Sequence, residues 1–178
     1  MMHSKAITYQ SVDESLDCAY WEQIWAQDWD AREQMYVGQA HLDYWQARAE
    51  DFSDGRKACD FDFGRKILQI LEPLLPAKAR ILDVGCGPGS LLIPFCQAGL
   101  EVTAVEPARE MIKQLNANAF SEGVHNYSVQ AKPWQEVDLD LLAKSFDLAI
   151  SAITMWMFRD LRNQLERLEK HPKTCAAW

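Results

Sequence analysis

The segment Arg80-Ile81-Leu82-Asp83-Val84-Gly85-Cys86-Gly87-Pro88-Gly89 most constrains what this chain folds into. An apolar, β-branched run feeds three glycines at alternate positions, and an amphipathic stretch follows. That order reads as a buried strand, a tight turn and a helix N-terminus. The glycines let the backbone come close to a nucleotide-like ligand where a Cβ would intrude. A second apolar run, Val102-Thr103-Ala104-Val105, ends at Glu106. A carboxylate at a strand tip about 20 residues beyond such a turn is placed to accept hydrogen bonds from two ribose hydroxyls.

The pattern continues in both directions. Residues 13–54 read as helical and aromatic-rich. Trp21, Trp25 and Trp29 share one face, with Ile24 beside it. That face is either a lid or partner stripe, or it packs on the body of the domain, and packing is favoured. Asp60 is expected to cap a helix running through Arg65–Leu71, which ends at Pro73 and Pro76. A helix over 90–98 stops at Gly99. Pro107 suits the first turn of the helix after Glu106, because its missing N–H has no partner to lose there. Further strands are expected at 127–130, 146–151 and from Thr174, with a charged helix over 159–170 between the last two. Strands alternating with helices predict an α/β fold, a doubly wound, mostly parallel sheet in an αβα sandwich. An N-terminal helical cap (1–55) precedes a core (56–178), in one structural domain. Ligand binds at the carboxyl ends of the strands.

Composition narrows the partners. The 178 residues suffice for one core. With 26 acidic and 18 basic residues the net charge is -8, and no basic run exists, which argues against nucleic acid. No apolar run is long enough to span a bilayer, and no apolar signal core follows the N-terminus, so a cytoplasmic location is expected. The five cysteines, Cys18, Cys59, Cys86, Cys96 and Cys175, form no C-x-x-C pair and no zinc-like spacing, and they read as reduced thiols. Cys86 suits the turn as a small residue rather than a nucleophile.

Asp83-Val84-Gly85-Cys86-Gly87-Pro88-Gly89 with Val105-Glu106-Pro107 resembles the S-adenosylmethionine-binding core of class I methyltransferases of the small-molecule type. Nicotinamide loops usually read G-x-G-x-x-G, whereas this one reads G-x-G-x-G and carries Asp83 before the first glycine. S-adenosylmethionine has no pyrophosphate but has an ammonium group, which suits Asp83. The resemblance implies that Gly85, Cys86, Gly87 and Gly89 hold the methionine end and Glu106 the ribose, with S-adenosylhomocysteine as product. It implies that Met111 packs against the adenine, although ordinary helix–sheet packing explains it equally. It also implies that Tyr44, in a helix resembling the family's cap, closes over the cofactor or simply packs.

Lys132 stands where the family often has an acidic acceptor for the adenine amino group. A lysine has only donors, so Gln130 or backbone groups would serve instead. Trp134 would stack on or shield the purine, or pack at the surface. Ser151-Ala152-Ile153-Thr154-Met155-Trp156 occupies the acceptor side. It lacks the Asn/Asp-Pro-Pro-Tyr type of motif found in enzymes that methylate nucleic-acid amines or protein glutamine. No Pro-Cys pair of the pyrimidine-carbon type occurs either, so a small-molecule acceptor is expected. Met155, Trp156, Met157 and Phe158 suggest an apolar acceptor pocket or a buried helix start. None of His3, His41, His125 and His171 has a clear base role, and His125 is expected at the surface.

The family's last antiparallel strands are missing from the pattern. A piece of a longer protein, or self-association through the last strand or the tryptophan helix, is therefore expected. A non-catalytic S-adenosylmethionine-binding protein and a nicotinamide-dependent oxidoreductase are the alternative readings.

Overall fold

The computed structural model describes residues 18–31, 38–138, 146–169 and 175–177. The side chain of Trp21, with His3, His171, Thr174 and Trp178, lies outside them. The helical region separates into α1 (Cys18–Ala31) and α2 (Gly38–Ala58). Then follow α3 (Asp62–Leu71), β1 (Arg80–Val84), α4 (Leu92–Gln97), β2 (Glu101–Val105), α5 (Arg109–Ser121), β3 (Tyr127–Gln130), β4 (Leu148–Ser151), α6 (Leu161–Glu169) and β5 (Cys175–Ala177). The expected cap–core boundary at 55/56 falls inside α2.

The strands form one sheet in the order β3-β2-β1-β4-β5, every pair parallel. β1 is central, and Ile81–Val84 are all buried, as a strand covered on both faces requires. Its side chains alternate between two cores. Ile81 joins Leu92, Phe95, Leu115 and Leu148 under α3, α4 and α5. Leu82 and Val84 join Trp134, Phe146 and Leu168 on the α6 side. The strand order reverses between β1 and β4, and at that switch point a crevice opens at the carboxyl ends.

Several helix ends differ from expectation. Asp60 does not cap α3. Asp60 and Phe61 both adopt left-handed backbone (φ 49° and 52°), and Phe61 holds the cap position. Arg65 captures Asp60 instead, through its carbonyl at 2.9 Å and its carboxylate at 3.2 Å. Pro107 lies before the cap residue Ala108 rather than in the first turn of α5. Helix α4 begins at Leu92, after a turn through Ser90, and its C-terminal stop at Gly99 has φ +82°, as expected. Regular pairing of β4 begins at Leu148, two residues later than expected.

Helix α1 docks on the far side of the crevice. Trp25 Nε1 donates to the Phe158 carbonyl at 3.0 Å and Trp29 Nε1 to that of Met157 at 3.2 Å. Arg159 holds the Asp30 carboxylate with two bonds of 2.6 and 3.0 Å. The tryptophan face therefore packs on the body of the domain, which weakens the case for it as a second interface. No described helix is long and apolar enough to cross a membrane.

Candidate cofactor and acceptor site

A cleft of about 700 Å³ opens over the carboxyl ends of β1, β2 and β4. Its floor is the glycine turn. Gly85 N–H donates to the Val105 carbonyl at 2.8 Å, tying the turn to β2. Gly85 has φ +78°, and a Cβ there would lie 2.2 Å from Thr154 Oγ1. Only glycine allows the turn to slide under the β4 loop. Gly87 has φ +52°, and a Cβ would meet nothing nearer than Phe52 at 3.9 Å, so the missing side chain leaves room in the cleft. Gly89 faces the core rather than the cleft, with Leu115 2.7 Å from where its Cβ would be.

Two carboxylates flank this floor. Glu106 is 8% exposed. Its Oε2 accepts from Gly87 N–H at 3.0 Å, and its Oε1 accepts from Ala108 N–H at 2.9 Å. Burial pushes its carboxyl up from the ordinary range, and these two N–H groups oppose that. The strand-tip residue thus binds the turn to the start of α5 and is more than a surface carboxylate. Asp83 is buried, and its Oδ2 has no hydrogen-bond partner among the described residues. Burial, with the nearby Glu106 charge, pushes its carboxyl up to about 7. An unpartnered buried carboxylate oxygen beside a cleft fits a cationic ligand. Cys86 feels both charges. Burial and the two carboxylates raise its thiol well above the ordinary value, so it is neutral and not a nucleophile.

Pro107 and Met111 line the cleft, and Met111 packs with Ala108 and Ala49 of α2. Trp134 also lines it but is buried, with Arg167 over its ring, which excludes the surface-packing expectation. Four expected residues lie off the cleft. Tyr44 is 45% exposed and stacks under Arg48. Its neighbours His41, Leu42 and Trp45 face the cleft instead. Lys132 and Gln130 are not on the wall, which there consists of Pro133, Trp134 and Gln135. Ser151 is buried beneath it, its hydroxyl donating to the Val84 carbonyl at 3.0 Å.

Arg56, on the last turn of α2, was not legible as a site residue. It sits over the Phe52 ring at 4.6 Å and lines the cleft. Trp29, His41, Met157 and Phe158 also line the cleft. His41 Nε2 accepts from Trp45 Nε1 at 3.2 Å, which engages its basic nitrogen. His125 is exposed, as expected.

Residues 81–173, just over half of the chain, match the family model described as methyltransferase domain. The chain belongs to that family. Among curated relatives, it is 30% identical over 129 residues to a malonyl-[acyl-carrier protein] O-methyltransferase of Pseudescherichia vulneris, covering 69% of this chain and 49% of the relative. It is 43% identical over 61 residues to a 23S rRNA (uracil(1939)-C(5))-methyltransferase of Pseudomonas fluorescens, covering 34% of this chain and 13% of the relative. The chain thus spans half or less of the length of these relatives. The plantazolicin methyltransferase BpumL, solved in complex with SAH, has the same fold (TM-score 0.58, 14% identity, 86% of this chain and 58% of that one).

Proposed function

We propose that the cleft binds S-adenosylmethionine and that the protein transfers its methyl group to a small, largely apolar acceptor. One observation carries the reading. The unpartnered Asp83 Oδ2 and the Glu106 carboxylate flank a glycine floor in a single cleft. In this reading Asp83 receives the ammonium group and Arg56 the carboxylate of the methionine end, over Gly85, Cys86 and Gly87. Glu106 receives the ribose hydroxyls, and Pro107, Met111 and Trp134 enclose the adenine. Tyr44, Ser151, Lys132 and Gly89 do not touch the ligand. Nicotinamide binding is disfavoured by the same floor, which pairs a buried acid with the turn where a pyrophosphate would need donors.

When bound, S-adenosylmethionine supplies an activated methyl group on a sulfonium leaving group. The chain's own residues then have two tasks. They hold the acceptor atom in line with the methyl carbon, and they exclude water, for which Trp29, Met157 and Phe158 are placed. No general base is assigned. An acceptor that needs little deprotonation suits the site, because His41 Nε2 is already hydrogen-bonded. The malonyl-[acyl-carrier protein] relative acts on a small acyl group borne by a protein, whereas the rRNA relative acts on RNA. The apolar acceptor wall and the net charge of -8 favour the first. Transfer of labelled methyl from S-adenosylmethionine to low-molecular-weight extract, and not to RNA, is the expected outcome. Label appearing only in RNA would contradict it.

Glu106→Ala is expected to weaken S-adenosylhomocysteine binding by about 1.5–3 kcal/mol, the range for hydrogen bonds to a charged group. It should also lower the melting temperature, because Gly87 and Ala108 lose their acceptor. Titration calorimetry and a thermal melt check both effects, and unchanged affinity would remove Glu106 from the ribose.

The reading extends to a division between a helical cap and a cofactor core. It also includes a cytoplasmic location, which the free thiols of Cys59, Cys86 and Cys96 support. Self-association through β5 belongs to it too, since among the described strands β5 pairs only with β4. Light scattering over a concentration series should give more than a monomer mass, and a concentration-independent monomer would refute that part.

A further inference from the structure

Behind the glycine floor lies a polar contact that none of the roles above uses. Asn118 of α5 is 3% exposed and Ser53 of α2 is fully buried. Asn118 Nδ2 donates to the Pro88 carbonyl at 2.9 Å and to Ser53 Oγ at 3.0 Å. The amide orientation is fixed, because a carbonyl only accepts. Three separate pieces meet in this contact: the cap helix α2, helix α5 and the glycine turn. Ser53 follows Phe52, the side chain nearest the open position at Gly87, and precedes Arg56 by one helical turn. Pro88 follows Gly87, whose N–H Glu106 holds from the other side. The remaining α2–α5 contact in this region is apolar, through Ala49, Ala108 and Met111, and the Asn118–Ser53 pair adds a polar contact that also reaches the turn.

We infer that Asn118, with Ser53, is a positioning residue that sets the cap helix and the Pro88 carbonyl at the spacing needed for the methionine half of the ligand. The inference rests on the reading of the cleft as an S-adenosylmethionine site. Asn118 touches no ligand. It acts through Pro88 and Gly87 on one side and through Phe52 and Arg56 on the other. The adenosine half is held by Glu106, Met111 and Trp134, none of which is a hydrogen-bond partner of Asn118 or Ser53. Loss of Asn118 should therefore be felt by one half of the ligand more than by the other.

The test uses the whole chain, with Asn118→Leu as a near-isosteric variant lacking the donor and Ser53→Ala as the milder one, which leaves the Asn118–Pro88 bond in place. Each is titrated calorimetrically with S-adenosylhomocysteine and with adenosine, well below its own melting temperature. For Asn118→Leu the expected result is about a tenfold or greater loss of S-adenosylhomocysteine affinity and no more than about a threefold loss for adenosine, with Ser53→Ala intermediate. A variant that melts lower yet binds S-adenosylhomocysteine as the parent does would overturn the inference, since Asn118 would then be purely structural. Equal losses for both ligands would overturn it too. Should Asn118→Leu fail to fold, Ser53→Ala carries the same comparison. A parent protein that binds neither ligand would instead refute the reading of the cleft, and the inference with it.

Discussion

Asp83→Asn should stabilise the ligand-free protein at pH 8 and at the same time weaken S-adenosylhomocysteine binding by about a hundredfold. The two effects share one cause. The Asp83 carboxyl titrates at about 7 in the fold, against an ordinary 3.8, because burial disfavours its charged form. The folded state therefore holds this proton more tightly than the unfolded chain. Stability falls as pH rises from about 4 to about 7 and is flat above, a cost on the order of 4 kcal/mol at 1.36 per pH unit. Asparagine removes that cost only where aspartate would be ionised. A rise in melting temperature on the order of 10 °C is expected at pH 8 and essentially none at pH 4.

Binding runs the other way. A ligand ammonium beside Asp83 favours the ionised form, so binding below pH 7 must release the proton. Affinity of the parent should rise up to about tenfold per pH unit between pH 5.5 and 6.5 and level off above pH 7.5. The Asp83→Asn variant should bind weakly, with a flat profile over that range, because a buried cation has lost its charged partner. Calorimetric titrations across pH decide this. A parent profile as flat as the variant's would show that Asp83 does not meet a cation.

Gly85→Ala should destabilise the protein by about 2–4 kcal/mol, a loss readable in a denaturant melt. Two costs combine. The residue needs φ +78°, which a Cβ resists. The new methyl would lie 2.2 Å from Thr154 Oγ1 and 2.5 Å from its Cγ2. Thr154→Ala removes both atoms and leaves the backbone strain and the Thr154 Cβ, 2.8 Å from the new methyl. The double variant should therefore recover about 1 kcal/mol relative to the sum of the single changes. Strict additivity would mean that the clash relaxes elsewhere and that the φ requirement alone fixes this glycine.

What could be read from the sequence was local. β1, the glycine turn, β2 and Glu106 lie within one stretch of chain whose strand and turn signals are strong, and the sheet places them as read. The placement of Asp83 followed from the same run. Long-range competition decided the rest. Asp60 has the right side chain for a cap, but Arg65 and Gln97 draw the local hydrogen bonds elsewhere. In α2 the adjacent Tyr44 and Trp45 are both aromatic, so sequence could not fix the helix phase. Packing against Met111 and Ala108 turns Trp45 inward and leaves Tyr44 outside. Lys132 matches the family's adenine-edge position only by its place after β3, and neither it nor Gln130 reaches the cleft, whose wall there is Pro133, Trp134 and Gln135. Arg56 and the Trp25, Trp29 and Asp30 contacts of α1 join residues more than a hundred positions apart or sit past the expected edge of the cap, and no short-range pattern announces them.

The central claim is that this glycine floor with its two carboxylates holds S-adenosylmethionine. Calorimetric titration of the protein at pH 7.5 with S-adenosylhomocysteine and, separately, with NAD tests it most directly. One S-adenosylhomocysteine per chain is expected, with no detectable heat of NAD binding at the same concentrations. NAD binding tighter than S-adenosylhomocysteine, or binding of neither, would contradict it.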